Sequence, residues 1–586
     1  MEAIEAKILL KNLLKRIRQV DEDCYELRGT LTDDEVTALQ SALVALDGGT
    51  ASSSAMPQSP PAPQPSIPPQ PLKPVPTFDP PQEPVTEATS EPEPVSEMLE
   101  HVASPIEIDT SVLDLEEPAR DRRLCLDFGT AMSKVTLVRD DSADRDYEDI
   151  QVLNLGVPGD QEEISETMLV SSVFIDGEGL LWFGQMAVKR SVLENGRKRL
   201  DNIKHYLSVE GDGLNSKVSP TFNPTDIDIT YGDMVLAYLM YLTWTVNHCL
   251  EEEGEPRNLH RRFAMPCFQG AKARDVAPLL KYMLGDAQVL ADTFFRTLQD
   301  GIPLADFMAA VAQLRSAKRA YPFIQESITE PLGVAGAIMS WKKRVDALVM
   351  VVDVGAGTSD FSLYRMRFDQ ETGKSVAYEV DNSAEGITEA GNYLDGLLRG
   401  LILRKAGVNS EHPQWRNIVG NLELDLRDYK ERLFLDGEVS VRLFNDDLVT
   451  ITQEEFLSLE QVTRFGESLK ACRDRILKRV DASFIKGAPN GVLALALTGG
   501  GATLPMVKAL AQGTVDVNGT ELKLVQSRGF PEWLEDEYPD LESDYPRIAV
   551  SLGGARKRII DQGGVARVTA GDVKVPPTLD GYYTKG

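Results

Sequence analysis

The chain has little of what membrane, secreted and nucleic-acid-binding proteins require. It contains no run of about 18 apolar residues, the length a membrane-spanning helix needs. Basic residues are outnumbered: 61 Lys and Arg against 91 Asp and Glu give a formal net charge of −30. Phosphate backbones demand a basic face, so nucleic acid is not expected as a partner. The five cysteines, Cys24, Cys125, Cys249, Cys267 and Cys472, are scattered, odd in number and never in a Cys-x-x-Cys spacing. They read as buried or incidental thiols in a reducing compartment. The start is acidic at Glu2 and amphipathic, unlike a secretory signal. A cytoplasmic location is the expectation. Aromatics make up only 7% of the 586 residues, yet 42% are hydrophobic, enough core for two or more domains.

What is present is a loop pattern used twice. Residues 124–134 read LCLDFGTAMSK and residues 351–360 read VVDVGAGTSD; their aspartates, Asp127 and Asp353, are separated by 226 residues (353 − 127). Each Asp ends an apolar β-type run and is followed by a Gly-containing turn and hydroxyl residues that open another strand. Glycine lets the backbone approach an anion closely, and Thr or Ser adds donors. An Asp beside a phosphate is not there for attraction to it, so it reaches a cation or the cation's waters. Either loop alone is also how an ordinary β-hairpin reads. Two imply a polyphosphate clamped from both sides.

Further along, residues 492–510 read VLALALTGGGATLPMVKAL: a buried strand, a triple-glycine turn at Gly499, Gly500 and Gly501, and a helix opened near Pro505. That turn suits close approach of backbone to a flat ligand. Taken in order, the three segments resemble the phosphate-1, phosphate-2 and adenosine signatures of the actin, sugar-kinase and heat-shock-protein-70 ATPase superfamily. The resemblance is closest to the DnaK-type chaperones and runs from about Arg122 to about Arg558. Residues 169–175, 202–207, 263–268 with Arg274, 329–337, 390–395 and 451–456 fall in the order that family has them.

The resemblance implies a two-lobed α/β fold of the actin type, built from duplicated ribonuclease-H-like domains, that binds ATP or ADP with Mg²⁺ and hydrolyses ATP slowly. By the same resemblance Gly129, Thr130, Ala131, Gly355, Ala356, Gly357 and Thr358 hold phosphates. Gly391, Lys430, Gly499, Gly500 and Gly501 complete the nucleotide site. Asp127 and Asp353 orient Mg²⁺ through its water shell, with Asp360 as support. Lys204 places positive charge on the γ-phosphate and the attacking water, Glu330 orients or deprotonates that water, and Asp353 belongs with them among the catalytic groups. Read without the resemblance, Lys204 is a solvated helix lysine and Glu330 a helix end before Pro331.

Three departures bear on function. The family's Lys-Arg pair on a second-lobe helix is Lys430-Glu431 here, and its base-stacking arginine is Thr503. Loss of a planar cation over the purine removes roughly 1 kcal/mol of stacking. Only about two dozen residues follow the expected ATPase, too few for a peptide-gripping β-sandwich. The interval from Pro266 to Glu330 is 64 residues (330 − 266), roughly double the family's. Its extra helical segment, about 286–322, is either a docking site or a packed elaboration.

In front, Ile4, Ile8, Leu10, Leu13, Leu14 and Ile17 repeat at helical spacing, and a second helix is announced by Thr32 and Glu35 in capping-box form. The organisation expected is a helical hairpin over 1–47, a Pro-rich linker over 48–120 that takes a large share of the 34 prolines, an ATPase over 121–562 and a short tail over 563–586. Two amphipathic helices bury both stripes only by pairing with each other, with the ATPase or with another protein. Protein partners through these helices or the insertion, or a homo-oligomer, are therefore expected.

Three functions remain open on the sequence: a DnaK-like conformational switch read by a protein partner, an actin-like filament or scaffold ATPase, and a sugar-type kinase.

Overall fold

The computed structural model describes residues 106–140, 148–156, 166–194, 198–208, 213–266, 271–339, 345–369 and 374–557, together with strand residues 17–21 and 24–27. By internal contacts the chain divides into two units, Met1–Val102 and Ala103–Gly586. In the first unit β1 (Ile17–Asp21) pairs antiparallel with β2 (Cys24–Leu27), Ile17 facing Leu27 and Gln19 facing Tyr25. Ile17 and Arg18 were expected at the end of a helix. Residues 17–21 and 24–27 instead satisfy their backbone groups by pairing with each other. The rest of the expected helices, residues 48–105 and the tail lie outside the described residues.

The second unit is mixed α/β with several mixed sheets. Its first large sheet combines β3 (Arg122–Asp127), β4 (Met132–Arg139), β5 (Asp149–Val152) and the short β6 (Leu169–Val170) with two later strands. β7 (Val173–Ile175) and β8 (Leu180–Phe183) form a separate small sheet with β10 (Ile302–Pro303). The later strands of the first sheet are β9 (His260–Met265) and β11 (Ile324–Thr329). β4 and β5 lie antiparallel on one side of β3, while β9 and β11 continue parallel on the other.

The second large sheet repeats that arrangement. β12 (Val345–Val354) is its first strand, followed by β13 (Ser359–Asp369), β14 (Lys374–Glu379) and β15 (Glu385–Ile387). A separate hairpin, β16 (Glu438–Arg442) with β17 (Leu448–Thr452), intervenes before β18 (Val492–Thr498), β19 (Thr514–Val517) and β20 (Thr520–Gln526). β13 and β14 are antiparallel beside β12, and β18 and β20 are parallel beyond it. β12 and β18 are near-continuous apolar runs, as befits strands covered on both faces; Leu348 through Val352 are all buried.

Between the sheets sits an apolar cluster that includes Cys125 and Val138 of the first, Val349, Val351 and Ala496 of the second, and two small-residue helices, Glu330–Ile338 and Tyr545–Ala555. These helices cross so closely that a Cβ on Gly553 would stand 1.8 Å from the Gly333 carbonyl oxygen. Glycine is what permits the approach.

Two expected boundaries shift. Residues 106–120 were assigned to the linker, but Val112 is buried and Ile106, Ile108 and Leu113 pack on the same core, so the folded body includes this stretch. The helical insertion, expected over about 286–322, is the helices Ala271–Thr293 and Leu304–Ser316. Ala287, Leu290, Leu304, Phe307, Val311 and Leu314 are buried, which makes it a packed part of the core. Among the described residues no helix is long and apolar enough to cross a membrane.

Candidate functional site

Two β-hairpins of equal span carry the site. In the first, Asp127 at the end of β3 faces Lys134 of β4; in the second, Asp353 of β12 faces Asp360 of β13. Both pairs are seven residues apart (134 − 127; 360 − 353). The turns meet: a Cβ on Gly357 would lie 2.7 Å from Thr130 Cγ2. Loops from distant parts of the sequence thus share one small space.

The first turn is propped from below. The Ser171 hydroxyl donates to the Gly129 carbonyl (2.9 Å), the Ser171 amide donates to the Ala131 carbonyl (2.8 Å), and the buried Tyr238 hydroxyl donates to Ser133 Oγ (2.9 Å). Phe128 stacks on Tyr238 at 5.4 Å. In the second turn the Gly355 amide donates to the Thr358 carbonyl (3.0 Å), and the Thr358 hydroxyl donates to Asp360 Oδ2 (2.7 Å).

Lys204 and Glu330 come from opposite directions and form a buried ion pair. Glu330 opens the small-residue helix Glu330–Ile338, and Lys204 immediately precedes the short helix His205–Ser208, with Nζ 5.9 Å from the Phe128 ring centroid. Burial pulls the Lys204 pKa down, but the charges of Glu330, Asp127 and Asp360 and the hydrogen bond that Lys204 donates to Glu330 outweigh it, so the pKa is raised and the ammonium stays protonated.

Four carboxylates, Asp127, Glu330, Asp353 and Asp360, therefore face two ammonium groups, Lys134 and Lys204. Lys134 Nζ lies 3.5 Å from Asp127 Oδ2. Among the described residues Asp353 has no ion-pair partner, and Lys134 acts on it only as a minor opposing charge. Burial, then the negative charges of Glu330, Asp360 and Asp127, push Asp353 up to about 7. Burial and Glu330 likewise push Asp360 up to about 7. The second hairpin is short of positive charge, which fits a cation brought with a ligand. Among the described residues no group of three or more His, Cys, Asp or Glu is placed to hold a metal ion directly. Asp127, Asp353 and Asp360 are the residues that could hold a hydrated cation through its waters.

The remaining expected residues close around the second turn. The Gly391 amide donates to the Gly355 carbonyl (3.0 Å) and the Asn392 amide to the Ala356 carbonyl (2.8 Å). Lys430, from the helix Trp415–Asp436, donates to the Gly391 carbonyl (3.3 Å) and pairs with Asp395 (2.7 Å). Gly501 donates its amide to the Val354 carbonyl (2.9 Å). A Cβ on Gly499, whose φ is +79°, would stand 2.4 Å from Asp353 Oδ1, so the triple-glycine turn leans on the second Asp loop. Gly500 faces open space. Every residue expected in the site lies within the described chain, and these contacts bring them together. Of the segments matched outside the site, Cys267, Phe268 and the Arg274 side chain lie beyond what is described.

Sequence reasoning gave no role to Lys134, Thr498, Asn202 or Asn392; the last two are in contact (2.8 Å), which ties the segment bearing Lys204 to the helix at Gly391. Lys134 was legible, since it stands seven residues after Asp127 as Asp360 does after Asp353. Thr498 faces Asp353 across β12 and β18, and its buried hydroxyl has no hydrogen-bond partner. No family model matches the chain, and no curated protein matches it.

Proposed function

We propose that this protein is an ATP-binding, slowly hydrolysing conformational switch of DnaK-like, two-lobed actin-type fold, working on or with a protein partner. The observation that carries the reading is the meeting of two like Asp–Gly hairpins, Thr130 against Gly357, beside the buried Lys204–Glu330 pair. Two sheets that share the order of their first four strands, each contributing one hairpin, are what an internally duplicated ATPase would have. The triple-glycine turn beside Asp353 supports a nucleotide rather than a free polyphosphate.

Phosphoryl transfer asks the protein for positioning and for compensation of charge. Backbone amides and hydroxyls of the two turns grip the β- and γ-phosphates. Glu330 orients the attacking water and accepts its proton, while Lys204 holds the γ-phosphate and the water in line. Mg²⁺ would supply charge neutralisation at the phosphate oxygens, with Asp353, Asp360 and Asp127 holding its waters. The small-residue helices Glu330–Ile338 and Tyr545–Ala555, packed backbone to backbone, are placed to transmit opening and closing between the sheets.

Single-turnover hydrolysis measured beside calorimetric binding tests this. Glu330→Ala and Lys204→Ala are expected to cut turnover by ~10²–10⁴-fold while ATP still binds. Equal loss of binding and turnover would make both residues structural, and absence of nucleotide binding by the wild type would end the proposal.

A further inference from the structure

Glu431 and Thr503 leave the expected base-binding end of the site without the planar cation that stacks on a purine. The structure supplies one from elsewhere. Arg547, in the first turn of the helix Tyr545–Ala555, extends to Glu431 on the helix Trp415–Asp436, with Nη2 2.9 Å from Oε1. Its neighbour Pro546 accepts the Gly499 amide through its carbonyl (2.7 Å), which fixes the helix start against the triple-glycine turn. Lys430, beside Glu431, donates to the Gly391 carbonyl. The Glu431–Arg547 pair thus bridges two helices, one of which has the residue bonded to Gly499 in its first turn. Thr503 is exposed.

Stability does not account for this pair. The side chains keep 45% (Glu431) and 30% (Arg547) of their exposure, and ion pairs so exposed contribute at most about 1 kcal/mol. Arg547 also sits in the first turn of its helix, where the dipole disfavours a cation. A guanidinium held there by a carboxylate, on a helix whose start is bonded to a turn where a Cβ on Gly500 would meet nothing within 4 Å, is available to a planar group.

We infer that Arg547 is the base-facing residue of this site, stacking its guanidinium on the purine of a bound nucleotide, and that Glu431 positions it. The cation expected on one helix is delivered from another, and the acidic substitution at Glu431 is the counterpart of that exchange. This inference rests on the nucleotide-clamp reading above and names the determinant of base affinity within it.

The test uses the full chain and two probes in calorimetry, Mg·ATP and Mg·tripolyphosphate, the second lacking base and ribose. Wild type is expected to bind ATP more tightly than tripolyphosphate. Arg547→Ala is expected to weaken ATP by about 3- to 30-fold with tripolyphosphate unchanged. Arg547→Lys keeps the charge without the plane, and recovers less than half of that loss on a logarithmic scale. Glu431→Arg combined with Arg547→Glu puts the cation on the other helix and restores ATP affinity to within about 3-fold of wild type. Melting curves of each variant establish that it is folded, and Arg547→Lys carries the test if Arg547→Ala is not. The inference is overturned if the ratio of the two affinities is the same in wild type and the Arg547 variants. If wild type binds neither probe, the phosphate clamp itself is wrong and the inference goes with it.

Discussion

The two hairpins are built to one plan and differ in a single charge. Asp127 has Lys134 across the strand pair; Asp353, at the same register, has Asp360. The first hairpin carries its own countercharge, while the second is acidic on both strands and holds its carboxylates at pKa values of about 7. On the proposed reading, one half of the clamp is neutralised by the fold and the other would be neutralised by the arriving cation.

The largest expected effect is on turnover. Asp127→Asn and Asp353→Asn should each cut Mg²⁺-dependent ATP hydrolysis at least about 10²-fold, because each removes a group that orients the cation's waters. Similar steady-state rates for wild type and both variants would break the assignment of either hairpin.

On ligand-free stability the same substitution should act with opposite signs. At pH 8, Asp127→Asn strips Lys134 of its partner and should destabilise the protein by about 1–3 kcal/mol. Asp353→Asn removes an uncompensated negative charge and should raise the melting temperature. Denaturant unfolding of both variants measures the difference, and shifts of the same sign would erase the distinction between the hairpins.

The pH dependence follows from the second hairpin. Asp353 and Asp360 bind protons more tightly in the folded state, at about 7, than at their ordinary value of 3.8. Their contribution to stability is fully present below pH 4 and is lost as pH rises through 7. Ligand-free protein should thus melt at lower temperature at pH 8 than at pH 6. Asp286 and Asp292, which burial raises to about 6, add a similar slope at lower pH. Asp353→Asn should flatten the curve between about pH 4 and 7, leaving the slope that Asp360, Asp286 and Asp292 contribute.

The smallest effect concerns contact between the turns. Gly357→Ala places a methyl against Thr130 and should cost about 1–2 kcal/mol. Thr130→Ser, which deletes the Cγ2 it meets, should recover most of that in the double variant. Additive losses in a double-mutant cycle would show that the turns do not touch in solution.

Much of the site was legible because its chemistry is local. Asp, Gly and Thr in a strand–turn–strand run announce themselves, and the triple-glycine turn did likewise. What was hidden depends on tertiary pairing. Arg547 lies 116 residues from Glu431 in a helix whose sequence reads only as small and apolar. Residues 106–120 looked like linker because acidic residues and a proline dilute Ile106, Ile108, Val112 and Leu113, four apolar side chains that find the core only when it exists. The strand at Ile17 was hidden because residues 17–21 carry no alternating pattern and pair only with the nearby segment 24–27.

The central claim, one cation-assisted nucleotide site shared by both hairpins, is tested most directly by titrating ATP into the full chain at pH 7 in two buffers of different protonation enthalpy, with and without Mg²⁺. The account predicts tight binding only with Mg²⁺, accompanied by net proton release that Asp353→Asn diminishes, because the arriving cation drives Asp353 and Asp360 to ionise. Binding that is indifferent to Mg²⁺ and to Asp353, or no binding at millimolar ATP, would contradict it.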